Sequence, residues 1–240
     1  ESKKDYLSKH LNNIYDIFSE FNIWMPTFNY DFTKSGVYNV KEDRSQIGIL
    51  NDYFRNFCEW RTTTPVFNFS GNGKYPINKI QSGDIINPFE FGSEFHYLYE
   101  NDSVHCHYGS NISHSTLFHY IEGISEKLLY RYPKKFHGVI INKGVTNKVT
   151  LDYHVSPLKT RVEYDWNKIY LDLLKDNLIQ EYKIFNGVNY IMIFSIKKVS
   201  DYRINKINHD PFYFLDEKSK KWVIPEIEKL GRGFEMNDFE

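Results

Sequence analysis

The sequence predicts an α/β protein, and three observations support this class. Apolar residues recur at helical spacing near the N-terminus, over residues 5–21. Between residues 103 and 131, a predicted strand is followed by a Gly/Ser/Asn loop and a predicted helix, the order in which α/β folds place ligands. Residues 138–151 are typical of a β-hairpin. We therefore expect one domain over residues 1–240, with a β-rich portion at about 138–200.

The N-terminal half alternates predicted helices with extended segments. After the first helix, residues 22–28 are typical of a short buried strand that contains a proline, and residues 34–43 are predicted as a polar loop. Residues 47–60 show helical spacing again. Residues 61–73 break this periodicity with hydroxyl residues, a proline and two glycines. We expect a loop there whose backbone N–H groups can approach a ligand.

Further elements are predicted in the C-terminal half. Helices are expected at 93–100, from 116 onward, at 166–177 and at 199–208. Strands are expected at 103–108 and 155–163, with a second hairpin at 183–199 that turns at 186–187. The tail from residue 210 contains two prolines and lacks clear periodicity, so we predict irregular structure there.

Composition excludes several classes of protein. With 240 residues, 41% of them hydrophobic and 25% charged, the chain can bury a substantial core. A balance of 30 basic and 31 acidic residues creates no field typical of nucleic-acid or acidic-membrane binding. No apolar run approaches a membrane span, and the first ten residues lack a secretory signal. Since Cys58 and Cys106 cannot form a disulfide framework, we expect a cytoplasmic protein with small-molecule substrates.

Three polar residues follow the Gly/Ser/Asn loop at three-residue steps: Thr116, His119 and Glu122. On a helix, residues three apart share a face, so these side chains would form one stripe. An imidazole can accept a proton near neutral pH, and a carboxylate one turn away can orient it and stabilise the cation. The stripe therefore suits a general base with its orienting group. The alternative is a solvated pair on an ordinary helix, which the spacing alone favours.

Several short motifs surround this stripe in a particular order. They are MPTF at 25–28, Arg61-x-x-x-Pro65 followed by Ser70 and Gly73, Gly92-Ser93, Thr116-x-x-His119-x-x-Glu122, and Tyr130-Arg131. Their order and spacing resemble the aminoglycoside 3-N-acetyltransferase family, roughly over residues 7–150. The T-x-x-H-x-x-E block leading to Tyr-Arg is the most specific part of the resemblance.

The resemblance implies a mixed central sheet flanked by helices with an appended β-rich portion, in a fold distinct from that of the GNAT acetyltransferases. It also implies transfer of an acyl group from an acyl-CoA thioester to a sugar amine, with acyl-CoA as cosubstrate and no metal. In this family the counterpart of His119 is viewed as the base. We expect direct attack by the amine, with His119 as general base and Glu122 as its orienting carboxylate.

The resemblance also indicates residues for the two substrates. Those for the coenzyme are Thr62, Thr63, Thr64, Ser70 and Gly73, with residues 62–64 expected to stabilise the thioester oxyanion. Those for the acceptor are Ser93, Thr116, Tyr130 and Arg131. The chain departs from the family pattern in having Thr64 where many members have His, and in lacking a strand with a His-Ser-Ser-like turn ahead of Lys3. We therefore expect coenzyme binding to depend more on residues 61–73.

For the acceptor, the sequence favours one branch of the family. A polycationic aminoglycoside needs a cleft rich in carboxylates, whereas this chain is nearly neutral. We therefore predict a nucleotide-linked (dTDP- or UDP-) amino sugar of surface-polysaccharide biosynthesis as acceptor. Aromatic residues would stack on the base, and basic residues would bind the phosphates: Arg131, Lys134, Lys135 or Arg161. The alternatives are an aminoglycoside acceptor, or a sugar- and CoA-binding module without catalysis; a homo-oligomer is compatible with the sequence.

Two other chemistries are less favoured by the sequence. Cys106 lies close to the loop, but a free cysteine on a strand is more often a core residue than a nucleophile. Four histidines cluster within fifteen residues, at positions 105, 107, 114 and 119, but they lack the spacing of a known zinc motif. We therefore expect neither a covalent intermediate nor a catalytic metal.

Overall fold

The structure, a computed structural model, describes residues 2–75, 80–125, 127–157, 160–182 and 191–239. Its α-helices in chain order are α1 (Lys3–Ile17), α2 (Phe32–Ser35), α3 (Ile49–Phe54), α4 (Glu94–Glu100), α5 (Leu117–Gly123), α6 (Trp166–Lys175), α7 (Ile196–His209) and α8 (Glu217–Leu230). Its strands are β1 (Trp24–Pro26), β2 (Val37–Asn39), β3 (Trp60–Arg61), β4 (Phe69–Gly71), β5 (Ile85–Ile86), β6 (Val104–Tyr108), β7 (Tyr132–Asn142), β8 (Val145–Val155), β9 (Gln180–Tyr182) and β10 (Ile191–Ser195).

The chain divides into two compact units. Unit 1 comprises Glu1–Ile86 with Lys135–Asp152, and unit 2 comprises Asn87–Lys134 with Tyr153–Glu240. The prediction of a single domain over residues 1–240 stays a prediction. The portion at 138–200 that we expected to be β-rich contains the last five residues of β7 and all of β8, β9 and β10, together with helix α6 and the start of α7.

Unit 1 contains two sheets. The first has the order β1-β4-β3 and is antiparallel, with Trp24 opposite Gly71 and Pro26 opposite Phe69. Gly71 is required there because a Cβ atom would overlap the indole of Trp60. The second sheet has the order β2-β7-β8-β5, in which β2 runs parallel to β7 and β5 parallel to β8. Parallel and antiparallel pairings therefore both occur.

Several predictions for unit 1 need correction. The segment 61–73 is not simply a loop, because its residues 69–71 form β4, paired with the strand predicted at 22–28. The helix predicted at 47–60 is confined to α3, and the polar loop predicted at 34–43 contains β2. Each short strand is stabilised by a partner distant in sequence, and local periodicity carries no signal of such a partner.

Unit 2 contains an antiparallel sheet of order β6-β10-β9, in which Ile193 of β10 lies opposite Cys106 of β6. The strand predicted at 103–108 and the helices predicted at 93–100, from 116, at 166–177 and at 199–208 are confirmed, with shifts of a few residues at their ends. Strand β6 leads through residues 109–116 into α5. This is the strand, loop and helix order that the sequence predicted around His119.

Three predictions for unit 2 turn out differently. A strand was predicted at 155–163, but β8 ends at Val155 and the described residues between 156 and 163 form no strand. The tail predicted to be irregular contains the fourteen-residue helix α8, with Pro225 inside it. Its Val223 and Ile227 pack into a buried cluster with Tyr130, so tertiary contacts support a helix despite the proline. Of the hairpin predicted at 183–199, residues 183–190 lie outside the described residues, while β10 pairs with β9.

The α/β class with mixed sheets flanked by helices is confirmed, although the strands of the described residues form three sheets. Helix α1 illustrates how sequence determines these elements. Ser2 caps its N-terminus by accepting the N–H of Asp5, whose carboxylate accepts the N–H of Ser2 in return. Across the described ranges, no helix has the length and apolarity needed to cross a membrane.

Candidate active site

Helix α5 brings His119 and Glu122 together in unit 2. The two residues are one turn apart, and His119 Nδ1 lies 3.2 Å from Glu122 Oε2. The His119 side chain is 35% exposed, whereas that of Glu122 is only 2% exposed. The pair is therefore not the solvated surface pair that the spacing alone favoured. A buried carboxylate orients an imidazole that solvent can still reach.

Both oxygens of Glu122 are fully engaged. Oε1 accepts hydrogen bonds from the hydroxyls of Tyr130, at 2.8 Å, and Tyr164, at 2.5 Å. Oε2 contacts His119 and also lies 2.9 Å from Arg131 Nε. The N–H bond of Arg131 Nε does not point at this oxygen, so the contact between Arg131 and Glu122 is an ion pair and not a hydrogen bond. Arg131 Nη2 donates in turn to the Tyr164 hydroxyl. This network fixes the carboxylate from four sides.

The network keeps Glu122 ionised. Burial alone would raise the pKa of Glu122, but the charge of Arg131 and the hydrogen bonds from His119 and Tyr164 outweigh it and lower that pKa to about 2. Burial, followed by the charge of Glu122, raises the pKa of Tyr130 well above its usual value. Burial likewise raises the pKa of Tyr164. Both hydroxyls therefore remain protonated donors at neutral pH.

His119 is held neutral in the resting protein. Burial and the positive charge of Arg131 lower its pKa below the usual 6.5, against the opposing influence of Glu122. Because an ionised Glu122 can only accept, His119 Nδ1 must carry the hydrogen. The lone pair then resides on Nε2, where it can accept a proton. The arrangement is that of a general base with its tautomer fixed by a carboxylate.

The Glu122 network predicts a loss of stability in acid. Because the pKa of Glu122 falls from 4.5 to about 2 on folding, the group stabilises the folded state above pH 4.5, and this contribution is lost as the pH falls towards 2. We expect the loss to reach about 3 kcal/mol. Urea denaturation of the wild type and of Glu122→Gln at several pH values between 6 and 2 measures it. A wild-type curve with the same pH dependence as the variant would contradict the assignment.

The residues predicted to bind the coenzyme lie in unit 1, and most of them point inward. Thr62 and Ser70 are fully buried, and Thr64 is nearly so. Thr62 Oγ1 accepts the N–H of Phe69, and Ser70 Oγ lies 3.1 Å from the hydroxyl of Thr27. These hydroxyls therefore hold the 61–73 segment in its own fold.

The guanidinium of Arg61 reinforces the same segment. It donates to the carbonyl oxygens of Thr27, Val40 and Asp43 and to the Asn68 side chain. Thr63 is half-buried and Gly73 is exposed, with a positive φ of 78°. Thr63 and Gly73 are thus the least buried of the five residues, although the N–H of Gly73 donates to the Glu59 carboxylate and its carbonyl oxygen accepts the indole N–H of Trp60. It stays a prediction that the coenzyme is bound by Thr62, Thr63, Thr64, Ser70 and Gly73, and that residues 62–64 stabilise the oxyanion.

The residues predicted to bind the acceptor fall into two groups. Tyr130 and Arg131 contact the carboxylate of Glu122, so the structure brings them to the His119–Glu122 pair. Thr116 is half-buried and precedes α5 without a side-chain capping bond, whereas Ser93 caps α4 by accepting the N–H of His96 at 3.2 Å. Contact of any of the four with the acceptor stays a prediction.

Sequence reasoning missed two residues of this cluster. Tyr164 precedes helix α6 and bonds to Glu122 across 42 positions of the chain. Arg203, on α7, is buried and stacks on Phe118, the neighbour of His119. Neither belongs to a local motif, so no spacing signal could have assigned them.

The alternative chemistries find little support. Burial raises the pKa of Cys106 to about 11, so its thiol is protonated at neutral pH and a poor nucleophile. The rings of His105 and His107 lie 4.6 Å apart, and burial lowers the pKa of both. Among the residues that the structure describes, no three His, Cys, Asp or Glu side chains group as a metal would require.

Comparison with known proteins gives a consistent result. Residues 17–207 match the sequence model of the family described as aminoglycoside 3-N-acetyltransferase. The solved structure of aminoglycoside acetyltransferase AAC(3)-Xa is similar, with a TM-score of 0.66 and 13% identity over 85% of this chain and 80% of that one. No curated protein sequence matches the chain.

Two other solved structures share the fold. Sisomicin-bound AAC-VIa has a TM-score of 0.64 and 12% identity, over 85% of each chain. AAC-IIIb, in a binary complex with CoASH, has a TM-score of 0.61 and 12% identity over 78% of this chain and 77% of that one. At such identities the likeness concerns the fold alone.

Proposed function

The chain belongs to the aminoglycoside 3-N-acetyltransferase family, and on that premise we propose that it acylates an amine of an aminoglycoside-type amino sugar with His119 as general base. Family membership makes the chain an N-acyltransferase with acyl-CoA as its cosubstrate. The observation that carries the proposed mechanism is the buried Glu122, which fixes the tautomer of a solvent-accessible imidazole.

His119 Nε2 accepts the proton that the attacking amine loses. As the amine nitrogen bonds to the thioester carbon, the carbon–sulfur bond breaks, and the departing thiolate takes up a proton to leave as the coenzyme thiol. Glu122 stabilises the imidazolium that forms, because its negative charge lies 3.2 Å from Nδ1. No covalent intermediate is required.

The aminoglycoside-type acceptor is better supported than the nucleotide-linked amino sugar that the charge balance first suggested. The phosphates of a nucleotide sugar need accessible cations, but Arg131 is buried against Glu122 and Tyr164. Arg161 pairs with Glu163 at 2.8 Å, and Lys135 lies 3.9 Å from Asp152. Arg161 and Lys135 are 85% and 57% exposed and so remain accessible, which leaves Arg131 as the member of these three that is withdrawn from a ligand. The aminoglycoside is favoured because a solved structure of the same fold holds the aminoglycoside sisomicin. A cytoplasmic location and a homo-oligomer stay predictions.

Thiol release tests the proposal. The protein is mixed with acetyl-CoA or longer acyl-CoA thioesters and with a panel of aminoglycosides and nucleotide-linked amino sugars, and mixtures without amine measure hydrolysis. We expect thiol release that requires an aminoglycoside, and we expect mass spectrometry to detect the amide product. Thiol release only with nucleotide-linked amino sugars would show that these sugars, and not aminoglycosides, are the acceptors. If no pair releases thiol while one ligand raises the melting temperature, the chain is a binding module instead.

A further inference from the structure

Arg203 lies at the centre of unit 2 on helix α7. It is 1% exposed, and its guanidinium is stacked between two aromatic rings. The guanidinium carbon lies 3.0 Å from the centre of the Phe118 ring and 3.7 Å from that of Phe214. Phe118 immediately precedes His119 on α5. The stacking therefore joins α7 to the helix that carries the base.

The hydrogen-bonding state of this arginine is unusual. Its Nε and Nη1 atoms are buried and have no hydrogen-bond partner within the described residues. Burying a charged group without such partners is costly, and an apolar side chain would fill the same space at lower cost. Burial lowers the pKa of Arg203 to about 9, with the charge of Glu122 acting in the opposite direction. The residue therefore remains a cation at neutral pH.

We propose that Arg203 is a positioning residue for the acyl transfer, which holds α5 through Phe118 and adds a second buried positive charge to the surroundings of Glu122. The proposal rests on the role proposed for His119 and Glu122. Arg203 itself is too deeply buried to contact a substrate.

The effect of the Arg203 charge on His119 depends on the other charges around the imidazole. Among the described residues, Glu122 contacts the imidazole from its own helix, Arg131 contacts Glu122, and Arg203 from α7 stacks on Phe118, the residue before His119. The charges of Arg131 and Arg203 both lower the pKa of His119. The Phe89 ring, 5.8 Å away, contributes no charge, and the tyrosines bonded to Glu122 are protonated. One carboxylate is thus opposed by two guanidinium groups. The excess positive charge disfavours a protonated His119 and keeps the base available.

The test is an NMR titration of the His119 imidazole, assigned with His119→Asn, in the wild type and three variants. Arg203→Met removes the charge and keeps much of the side-chain length, whereas Arg203→Lys keeps an ionisable group and loses the flat stacking surface. Lys206→Met is the matched control. It removes a cation from the next turn of α7, where Lys206 lies over the rings of Tyr202 and Tyr213.

We expect the His119 titration to move to higher pH in Arg203→Met and to match the wild type in Lys206→Met. We also expect kcat to fall at least about tenfold in Arg203→Lys, with a smaller change in KM, because α5 is less well positioned. An unchanged titration in Arg203→Met, or wild-type kcat in Arg203→Lys, would overturn the proposal. If Arg203→Met does not fold, the kcat of Arg203→Lys decides.

The titration requires no substrate, so its outcome is separate from that of the proposed function. A wild-type protein that releases no thiol with any acceptor would refute the proposed reaction. The same protein would still show whether Arg203 controls the protonation of His119, and an unchanged titration in Arg203→Met would refute the electrostatic role on its own.

Discussion

Replacing His119 with Asn is expected to lower kcat/KM by about 10²- to 10⁴-fold, the usual contribution of a general base. The asparagine amide can still donate to Glu122 in place of Nδ1, so the buried network stays satisfied. What is lost is the basic nitrogen Nε2. Steady-state thiol-release kinetics measure the effect, with circular dichroism and the melting temperature as checks on folding.

His209→Asn is the matched control, because His209 ends α7 in the same unit and its ring is exposed, with Nδ1 lying 2.8 Å from the backbone oxygen of Asn205. We expect its kcat/KM to stay within about twofold of the wild type. His119→Ala provides a second variant without any side-chain donor. Near-full turnover in either His119 variant, with folding unchanged, would remove the proposed base.

Replacing Glu122 with Gln is expected to affect both activity and stability. A neutral amide leaves the buried Arg131 without its counterion, which costs about 3–5 kcal/mol when a buried pair is broken. The amide NH₂ group would also face either the two tyrosine hydroxyls or the His119 and Arg131 donors, and it can accept from none of them. We expect kcat/KM to fall by at least about 10²-fold, because the His119 tautomer is no longer fixed.

Urea denaturation at pH 7 measures the stability change, and thiol release measures the activity. Glu163→Gln is the matched control: Glu163 pairs with Arg161 but is 46% exposed, so its loss should cost less than about 1 kcal/mol. A Glu122→Gln protein as stable as the Glu163→Gln control would mean that Glu122 does not anchor the site.

The pair at the centre of the site was predictable because its geometry is local. Residues three apart on a helix meet whatever the rest of the fold does, and α5 forms at the predicted place. The resemblance further connected Tyr130 and Arg131 with this helix. Their contacts with Glu122 were not predicted, because the direction of a side chain after a helix depends on what packs around it.

The remaining parts of the site depend on contacts between distant segments. Tyr164 reaches the cluster from the segment before α6 and Arg203 reaches it from α7, and no spacing rule connects them with His119. The same reason accounts for β4, which was predicted as part of a loop, and for α8, a helix that was not predicted because it contains Pro225 and that is stabilised by a buried hydrophobic cluster. Thr62 and Ser70 illustrate the opposite case. Their hydroxyls were predicted to bind the coenzyme, and in the structure they contact other residues of the protein.

The pH dependence of kcat/KM for the acceptor, in the wild type and in His119→Asn, tests most directly whether a neutral His119 is the base. Below the pKa of the acceptor amine, its protonation alone makes log kcat/KM rise with a slope of about one in both proteins. In the wild type, the slope should steepen towards two below the lowered pKa of His119, which is under 6.5, and this steepening should be absent from the variant. The same steepening in His119→Asn would assign the proton acceptor to another group.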